Sequence, residues 1–293
     1  MIVNSDNLKE IIPRAVFPIV ARINSEWQPS GTAFLVSRHG FLLAARHVIE
    51  PAARKRGRML GPEGKFIDEG NFFALFFESR GNPPSFVSRF LSIESTTLPD
   101  QGDVAFCQLR WPPRDGPLIN PLAFGIRPAP PRVGEQVFIF GYNKLDLTVV
   151  SETDDTLHVN CDSEACAVRG VVRELHIPIK DRGLASFPCF TVEVETEVIP
   201  GMSGGPVVNE AGYVCGTVST SPSWDRMTTC AMLTLAMGLR VSVLPRRDLA
   251  ARSSYLVELV RDGLIPSDGS WRQIELREVA AGVANVFLRD ASR

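Results

Sequence analysis

Three polar side chains in this sequence have the types and the order that nucleophilic catalysis requires. Ser203 lies in a Gly-rich segment, GMSGGP at 201–206, His47 follows a strand-like apolar run, and Asp103 precedes another. A serine hydroxyl is barely ionised near neutral pH, so it needs a nearby base and a group that stabilises the oxyanion formed on attack. An imidazole supplies the base, and a buried carboxylate fixes its tautomer. These residues therefore indicate acyl transfer.

The glycines around Ser203 suit the second requirement, the stabilisation of an oxyanion. Gly201 is expected to turn its amide N–H, with that of Ser203, toward one point, because glycine adopts backbone conformations that other residues avoid. Gly204 and Gly205 leave space for a substrate backbone. The segment also fits an ordinary turn between strands, and a lone histidine or aspartate is more often structural. Only the combination of all three favours catalysis.

Short β-type segments occupy most of the sequence between residues 14 and 243, separated by turns rich in Gly, Pro, Asn and Asp. The first group of predicted strands is 15–23, 31–36, 41–44, 72–78, 90–94 and 104–109. A Pro-rich break at 111–117 predicts a linker. The second group is 136–140, 168–177, 190–197, 206–208, 213–219 and 239–243. Two such groups predict an all-β fold of two six-stranded antiparallel barrels.

The end of the sequence has a different pattern. Apolar residues recur at helical spacing within 246–261, and Gly263 is suited to end a helix. We predict a C-terminal helix over 246–261 that packs against the second barrel, while 271–288 fits either a strand or a helix. The predicted domains are therefore a first barrel at 1–115, a second barrel at 116–245, and a helix and tail at 246–293.

The order of the three polar residues resembles that of the chymotrypsin-like serine proteases, and most closely the trypsin-like peptidase domains related to the HtrA proteases, without a PDZ domain. The matching motifs are A-x-H-V around His47, D-V-A from Asp103 and G-x-S-G-G-P around Ser203. GTAFLV at 31–36 and GYVCGT at 212–217 resemble the family's strands before the histidine and after the serine. The resemblance covers residues 15–243. It implies a serine endopeptidase whose cleft lies between two β-barrels, with an oxyanion hole formed by the amides of Gly201 and Ser203.

Three positions depart from the pattern of that family. Ala44 stands where members often have a threonine that supports the histidine, and Val48 stands where secreted members have a disulfide cysteine. Met202 replaces the aspartate that pairs with a freshly cut N-terminus in digestive trypsins. Activation by that route is therefore not expected.

The resemblance also implies where a substrate side chain would bind. The substrate-binding residues that it implies are Val198, Ser219, Thr220 and Ser221. They suit an uncharged side chain of modest size. Glu197 leaves a second possibility open, because a carboxylate pointing into the pocket would favour a basic side chain. The backbone of 219–221 is expected to pair with an extended substrate as an added strand.

The composition excludes several other classes of protein. Hydrophobic residues make up 44% and charged residues 22%, which is the balance of a globular rather than a disordered chain. The net charge of -2 gives no general attraction to nucleic acid. No apolar run approaches the ~18 residues of a membrane helix, and residues 1–9 lack the features of a secretory signal. We expect a cytoplasmic protein whose partners are a protein or peptide substrate and an activating protein, with neither nucleic acid nor membrane.

The six cysteines are expected to remain thiols in a reducing compartment. They are Cys107, Cys161, Cys166, Cys189, Cys215 and Cys230. Cys161 and Cys166 have the spacing of half a metal site, but no second Cys/His pair completes it, so metal binding by this pair stays open. No metal or other cofactor is expected.

Two alternatives to a serine endopeptidase remain open from the sequence. The first is a catalytically silent, protease-like module that binds peptides without cleaving them. The second is an esterase, since 201–205 fits the G-x-S-x-G motif of the α/β-hydrolases. In that fold the chain order is Ser, acid, His, whereas His47 and Asp103 here precede the serine. The esterase is therefore the weaker alternative.

Overall fold

The structure is a computed structural model of the chain. It describes residues 8–23, 26–55, 65–66, 72–80, 85–99, 102–110, 122–152, 157–177, 187–220, 226–246, 248–280 and 283–289. Within these residues, no helix is both long enough and apolar enough to cross a membrane.

The first barrel is a closed antiparallel sheet. Its strands are β1 (Val16–Ile23), β2 (Glu26–Leu35), β3 (Phe41–Ala44), β4 (Lys65–Phe66), β5 (Phe72–Arg80), β6 (Ser85–Thr97) and β7 (Ala105–Leu109). Six of them are hydrogen-bonded in the order β6-β5-β1-β2-β3-β7, and a pairing between β6 and β7 closes the ring. The short β4 pairs with β6 outside it. Helix α1 (Leu8–Ala15) precedes β1, and α2 (Arg46–Lys55) follows β3.

The second barrel is closed in the same way. Its strands are β8 (Gly125–Ile126), β9 (Gln136–Glu152), β10 (Leu157–His176), β11 (Cys189–Val194), β12 (Pro206–Asn209), β13 (Tyr213–Thr220) and β14 (Met227–Met232). The ring runs β12-β9-β10-β11-β14-β13 and is closed by β12 and β13, while β8 adds to β13 in parallel. The predicted fold of two six-stranded antiparallel barrels is confirmed.

Strand β3 of the first barrel is apolar throughout because both of its faces are buried. Successive side chains of a strand point to opposite faces of the sheet. In β3, Leu42 faces the interior of the first barrel, whereas Phe41 and Leu43 belong to the cluster between the barrels. Phe124 spans this interface, with its ring 6.3 Å from that of Phe34 and 6.4 Å from that of Phe140. The shared core fixes the two barrels against each other.

Two features of the second barrel were not predicted. The predicted strands 136–140 and 168–177 are the base of a much longer hairpin, because β9 and β10 pair from Gln136 to Glu152 and from Leu157 to Val171. Strand β14 was missed altogether: its sequence MTTCAM lacks alternation, and pairing with β11 on one side and β13 on the other holds it in the sheet. The predicted linker 111–117 lies outside the described residues.

The C-terminal helix is shorter than predicted. The predicted strand 239–243 is β15 (Arg240–Val243), but it lies outside the second barrel and pairs with β16 (Arg252–Tyr255) in a separate two-stranded sheet that follows α3 (Leu233–Ala236). Within 246–261 only α4 (Leu256–Arg261) is helical. The Glu258 carboxylate accepts bonds from the Ser254 hydroxyl, 2.7 Å, and the Tyr255 amide, 2.9 Å, which caps the helix at this point. The segment 271–288 forms the hairpin of β17 (Ile274–Ala280) and β18 (Val283–Leu288).

Candidate active site

Strand register brings His47 and Asp103 to the same end of the first barrel. Ala44, the last residue of β3, pairs with Ala105, the first residue of β7. Because the two strands are antiparallel, the chain that leaves β3 and the chain that enters β7 lie side by side. His47 follows Ala44 by three residues and Asp103 precedes Ala105 by two. The main chains also meet here, since the Arg46 amide donates to the Asp103 carbonyl over 3.3 Å.

The Asp103 carboxylate contacts His47 through both of its oxygens. His47 Nδ1 lies 2.8 Å from Oδ2, and the His47 amide donates to Oδ1 over 3.0 Å. Asp103 is only 5% exposed, whereas the His47 side chain is 43% exposed. A buried carboxylate requires such donors to offset its lost hydration. With the Nδ1 proton directed at the carboxylate, Nε2 is the nitrogen that can accept a proton.

Ser219 links the second barrel to this pair. Its hydroxyl donates to Asp103 Oδ2 over 2.6 Å, and the residue is 4% exposed. A β-bulge between Val218 and Thr220 takes Ser219 out of the regular ladder of β13 and β14. We expected Ser219 to bind substrate, and its contact with Asp103 was missed. No pattern in the sequence signals it, because it depends on a bulge and on how the barrels dock.

The main chain of Ser203 reaches the first barrel directly. The Ser203 carbonyl accepts a bond from the Thr32 amide, 2.8 Å. Gly204 has φ +83°, and a Cβ there would overlap the Thr32 carbonyl and lie 2.9 Å from the Ala45 amide nitrogen. Only glycine allows this approach. Because Ala45 is two residues from His47, the structure brings the predicted histidine, aspartate and serine segments together at the seam of the barrels.

The turn that carries Ser203 is a short 3₁₀ helix, Pro200–Met202. The Ser203 amide donates to the Pro200 carbonyl over 3.2 Å, and the Gly201 carbonyl accepts from the Thr32 hydroxyl over 2.8 Å. Gly201 was expected to need an unusual φ, but the positive φ falls at Gly204. Glycine is instead required at 201 by crowding, because a Cβ would overlap the Tyr142 carbonyl. Between the described residues Ser203 and His47 no side-chain hydrogen bond is formed.

A sequence profile of the trypsin-like peptidase domain matches residues 31–216. This match covers more than half of the chain, begins within β2, ends within β13 and includes all three candidate catalytic residues. The chain belongs to the trypsin-like peptidase family. A peptidase fold of this kind implies protein or peptide substrates. No curated protein matches the sequence.

Solved structures similar to this trypsin-like peptidase have low sequence identity to it. The active form of the Rv3671c protease from M. tuberculosis is 16% identical, with 78% of this chain and 80% of that chain covered and a TM-score of 0.46. Deg5 is 17% identical, with coverages of 77% and 90% and a TM-score of 0.46. An inactivated protease paralogue of the scabies mite is 13% identical, with coverages of 77% and 88% and a TM-score of 0.48. At these sequence identities and TM-scores, no function of those proteins is inferred for this chain.

The residues expected to bind a substrate side chain lie in different environments in this trypsin-like peptidase. Val198 is buried and Glu197 is exposed. Thr220 is exposed, and its carbonyl accepts a bond from the Thr228 hydroxyl, 3.1 Å. Ser221 lies outside the described residues. The structure thus groups the side chain of Ser219 with the candidate catalytic residues and, among the described residues, does not join Val198 or Thr220 to them by a hydrogen bond.

The cysteines of the peptidase are free thiols wherever the structure describes their side chains. Burial raises the pKa of Cys107 and of Cys215 to about 12 and that of Cys189 to about 11, and it raises the pKa of Cys230 well above its usual value. Cys161 has its side chain outside the described residues, so the suggested pair with Cys166 stays a hypothesis. Among the residues that the structure describes, no group of three His, Cys, Asp or Glu side chains could hold a metal ion.

Proposed function

We propose that this chain is a serine endopeptidase in which Ser203 is the nucleophile, His47 its general base and Asp103 the residue that orients the histidine. The observation that carries the proposal is the double contact of the buried Asp103 carboxylate with the ring and the amide of His47. A carboxylate held in this way fixes the neutral tautomer whose Nε2 can take the serine proton. The family match and the bond between the Thr32 amide and the Ser203 carbonyl support it further.

The proposed reaction is acyl transfer in two steps. Ser203 Oγ attacks the carbonyl carbon of a peptide bond while His47 Nε2 takes its proton, and the imidazolium is stabilised by Asp103. The same proton then passes to the leaving amine, which departs and leaves an acyl-enzyme. Water, deprotonated by His47, attacks the ester and releases the second product and the serine. The exposed imidazole is accessible to substrate and water, whereas the buried carboxylate is not.

The oxyanion is proposed to bind the amides of Gly201 and Ser203, which requires the turn before Ser203 to rearrange. In the structure the Ser203 amide donates its hydrogen bond to the Pro200 carbonyl and is therefore not available to an oxyanion. The C=O and N–H of one trans peptide point in opposite directions. Turning the Pro200 carbonyl away therefore frees the Ser203 amide and swings the Gly201 N–H toward the same place. Each donor to an oxyanion is worth about 10²–10³ in kcat, so this rotation is a suitable step for control by substrate or by an activating protein.

The proposed substrate is an extended peptide paired with the end of β13, as an added strand beside Thr220. We propose an uncharged side chain before the cleaved bond, since Val198 is buried and Glu197 is exposed. The proposal also places the enzyme in the cytoplasm, a location that subcellular fractionation would test.

A peptide-binding module without catalysis is the second candidate. It is favoured by the engaged Ser203 amide and by the lack of a hydrogen bond between the described side chains of Ser203 and His47. Catalytic hydrogen bonds are often long in enzymes without substrate and tighten when it binds. The two candidates therefore differ in whether bound peptides are cut.

Cleavage of a proteome-derived peptide library separates the two candidates. The full chain is incubated with the library, and new peptide termini are identified by mass spectrometry, with Ser203→Ala as the matched control. A serine endopeptidase produces cleavages that depend on Ser203 and share a side-chain preference. The Ser203→Ala substitution is expected to lower turnover on the order of 10⁶-fold without unfolding the protein. Equal peptide patterns from both proteins, together with peptide binding by both, would establish the silent module.

A further inference from the structure

Thr32 connects the first barrel to the turn that carries Ser203. It lies in β2 and is fully buried. Its amide donates to the Ser203 carbonyl over 2.8 Å, and its hydroxyl donates to the Gly201 carbonyl over 2.8 Å. The Tyr142 amide of the second barrel donates to the same hydroxyl oxygen over 3.3 Å. One residue of the first barrel thus holds two peptide units of the turn, one through its main chain and one through its side chain.

The direction of the hydroxyl bond is set by its neighbours. A threonine hydroxyl has one proton to donate and two lone pairs to accept. Because the Tyr142 amide can only donate, it takes one of the lone pairs, and the Gly201 carbonyl can only accept. The Thr32 proton therefore goes to Gly201. These two hydrogen bonds run from the second barrel to the first and back again, so they also fix the position of one barrel relative to the other at the turn.

Thr32 and Gly205 hold three consecutive carbonyls of the turn, since the Gly205 amide donates to the Met202 carbonyl over 2.9 Å. The two bonds of Thr32 hold the carbonyls of the Gly201–Met202 and Ser203–Gly204 peptides. The peptide between Pro200 and Gly201 is not held by Thr32, and Pro200 is exposed. The Tyr142 and Asn143 carbonyls close in on Gly201 from the other side. Movement of the turn is thereby confined to the peptide whose rotation would free the Ser203 amide.

We propose that Thr32 is a positioning residue for the turn that carries Ser203. Its hydroxyl is the fixed pivot about which the Pro200–Gly201 peptide rotates. This inference rests on the proposed serine endopeptidase. The valine that replaces threonine has nearly the same shape but no hydroxyl, so it leaves the Gly201 carbonyl and the Tyr142 amide without this partner. The amides that receive the oxyanion then lose their fixed position, and misplacement of catalytic groups by about 1 Å can cost about 10²-fold in rate.

The first test is kinetic and uses Thr32→Val beside Thr32→Ser, which keeps the hydroxyl. With a peptide substrate from the library, T32V is expected to lower kcat by about 10- to 100-fold with KM nearly unchanged, and T32S is expected to restore kcat. A peptidyl aldehyde reacts with the serine to form a tetrahedral adduct whose oxygen takes the oxyanion position. The affinity of T32V for this inhibitor should fall by a similar factor. Thr234→Val is the matched control, because Thr234 makes the same kind of buried hydroxyl bond, 2.7 Å, to the Pro128 carbonyl; it should leave kcat unchanged.

The second test does not depend on activity. Hydrogen–deuterium exchange is measured on the Ser203→Ala protein with Thr32, Thr32→Val or Thr32→Ser. Faster exchange in 199–206 with T32V, and wild-type exchange with T32S and T234V, is the expected result. Should T32V not fold, Thr32→Ala takes its place. Unchanged exchange in 199–206 with the valine variant would overturn the pivot. A wild-type protein that never cleaves, but whose turn loosens with T32V, would overturn the proposed enzyme and leave the pivot standing.

Discussion

The Ser219 hydroxyl lies 2.6 Å from Asp103 Oδ2, so a residue of the second barrel holds the carboxylate by which the first barrel orients His47. The same seam is crossed in the other direction by Thr32 of the first barrel, which holds the turn of Ser203. Neither barrel alone contains a complete site. Docking of the barrels is therefore part of how the proposed catalytic residues are positioned, and each of these contacts can be removed separately.

Ser219→Ala should weaken catalysis more than it weakens binding. The exchange removes one donor from a buried carboxylate, which costs about 1–3 kcal/mol, and it loosens the orientation of His47. We expect kcat to fall by about 10-fold and KM to change little, as measured with the library-derived peptide. Ser253→Ala, which removes an exposed hydroxyl on β16, serves as the control and should be neutral. A larger effect on KM than on kcat would instead assign Ser219 to substrate binding.

Asp103→Asn should abolish most activity while preserving the fold. The amide keeps the shape of the carboxylate but favours the wrong tautomer of His47, and a comparable exchange in a Ser-His-Asp triad lowers kcat about 10⁴-fold. Single-turnover acylation by an activated ester and thermal unfolding are the measurements. Retention of acylation within tenfold of the wild-type rate, in a folded protein, would be incompatible with the proposed role of Asp103.

Gly204→Ala should be far more damaging than Gly134→Ala. Both glycines have positive φ, +83° and +87° respectively, so both exchanges carry a backbone cost of about 1 kcal/mol. A Cβ at 134 meets nothing within 4 Å, whereas one at 204 overlaps the Thr32 carbonyl. We expect G134A to unfold near the wild-type denaturant midpoint, and G204A to lose several kcal/mol or fail to fold. Equal midpoints for the two variants would show that the close approach at Gly204 is not required.

The buried thiols predict how stability depends on alkaline pH. Burial raises the pKa of Cys107 and Cys215 to about 12 in the folded chain, while the unfolded chain ionises near the ordinary thiol value. The folded state then holds protons that the unfolded state releases. This contribution to stability is complete below the unfolded pKa and is lost as pH rises toward the folded one. The free energy of unfolding, measured with denaturant, should therefore fall as pH rises above about 9.

Alkylation of the same thiols supplies a second readout. At pH 8 a thiol with a pKa of about 12 is ionised in about one molecule in 10⁴, and the thiolate is the reactive form. Cys107 and Cys215 should resist iodoacetamide until denaturant is added, whereas the half-buried Cys166 should react in the native protein. Cys107→Ser and Cys215→Ser identify the labelled sites by mass spectrometry. Rapid native labelling of Cys107 would contradict its burial in the first barrel.

The sequence was sufficient for the fold of two six-stranded barrels and for the three residues that the structure brings to the seam, but not for every strand, since β14 was missed. Each of the six ring strands of the first barrel contains an apolar β-type run that the sequence marks, and the motifs around His47, Asp103 and Ser203 are local. The contact of Ser219 with Asp103 depends on a bulge in β13, which has no local sequence signal. The length of the β9–β10 hairpin was also missed, because residues 143, 144, 146 and 148 of its extension are polar and exposed and lack the apolar face of a barrel strand.

The state of the turn at 200–203 could not be predicted either. The turn is held by the bond of the Ser203 amide to the Pro200 carbonyl and by Thr32, a residue far away in the chain. The observed turn and the proposed rotated one have the same sequence, so the sequence does not distinguish them. The helix predicted over 246–261 failed for a similar reason. Residues 252–255, in the middle of that segment, pair with β15, and this ladder outweighs the helical spacing.

Reaction of the full chain with a fluorophosphonate, followed by intact-protein and peptide mass spectrometry, tests the central claim most directly. The reagent captures only a serine that a neighbouring base activates. We predict a single adduct on Ser203 that is lost in Ser203→Ala and strongly slowed in His47→Ala and Asp103→Asn. An unmodified Ser203, or labelling that proceeds at the same rate without His47, would contradict the account.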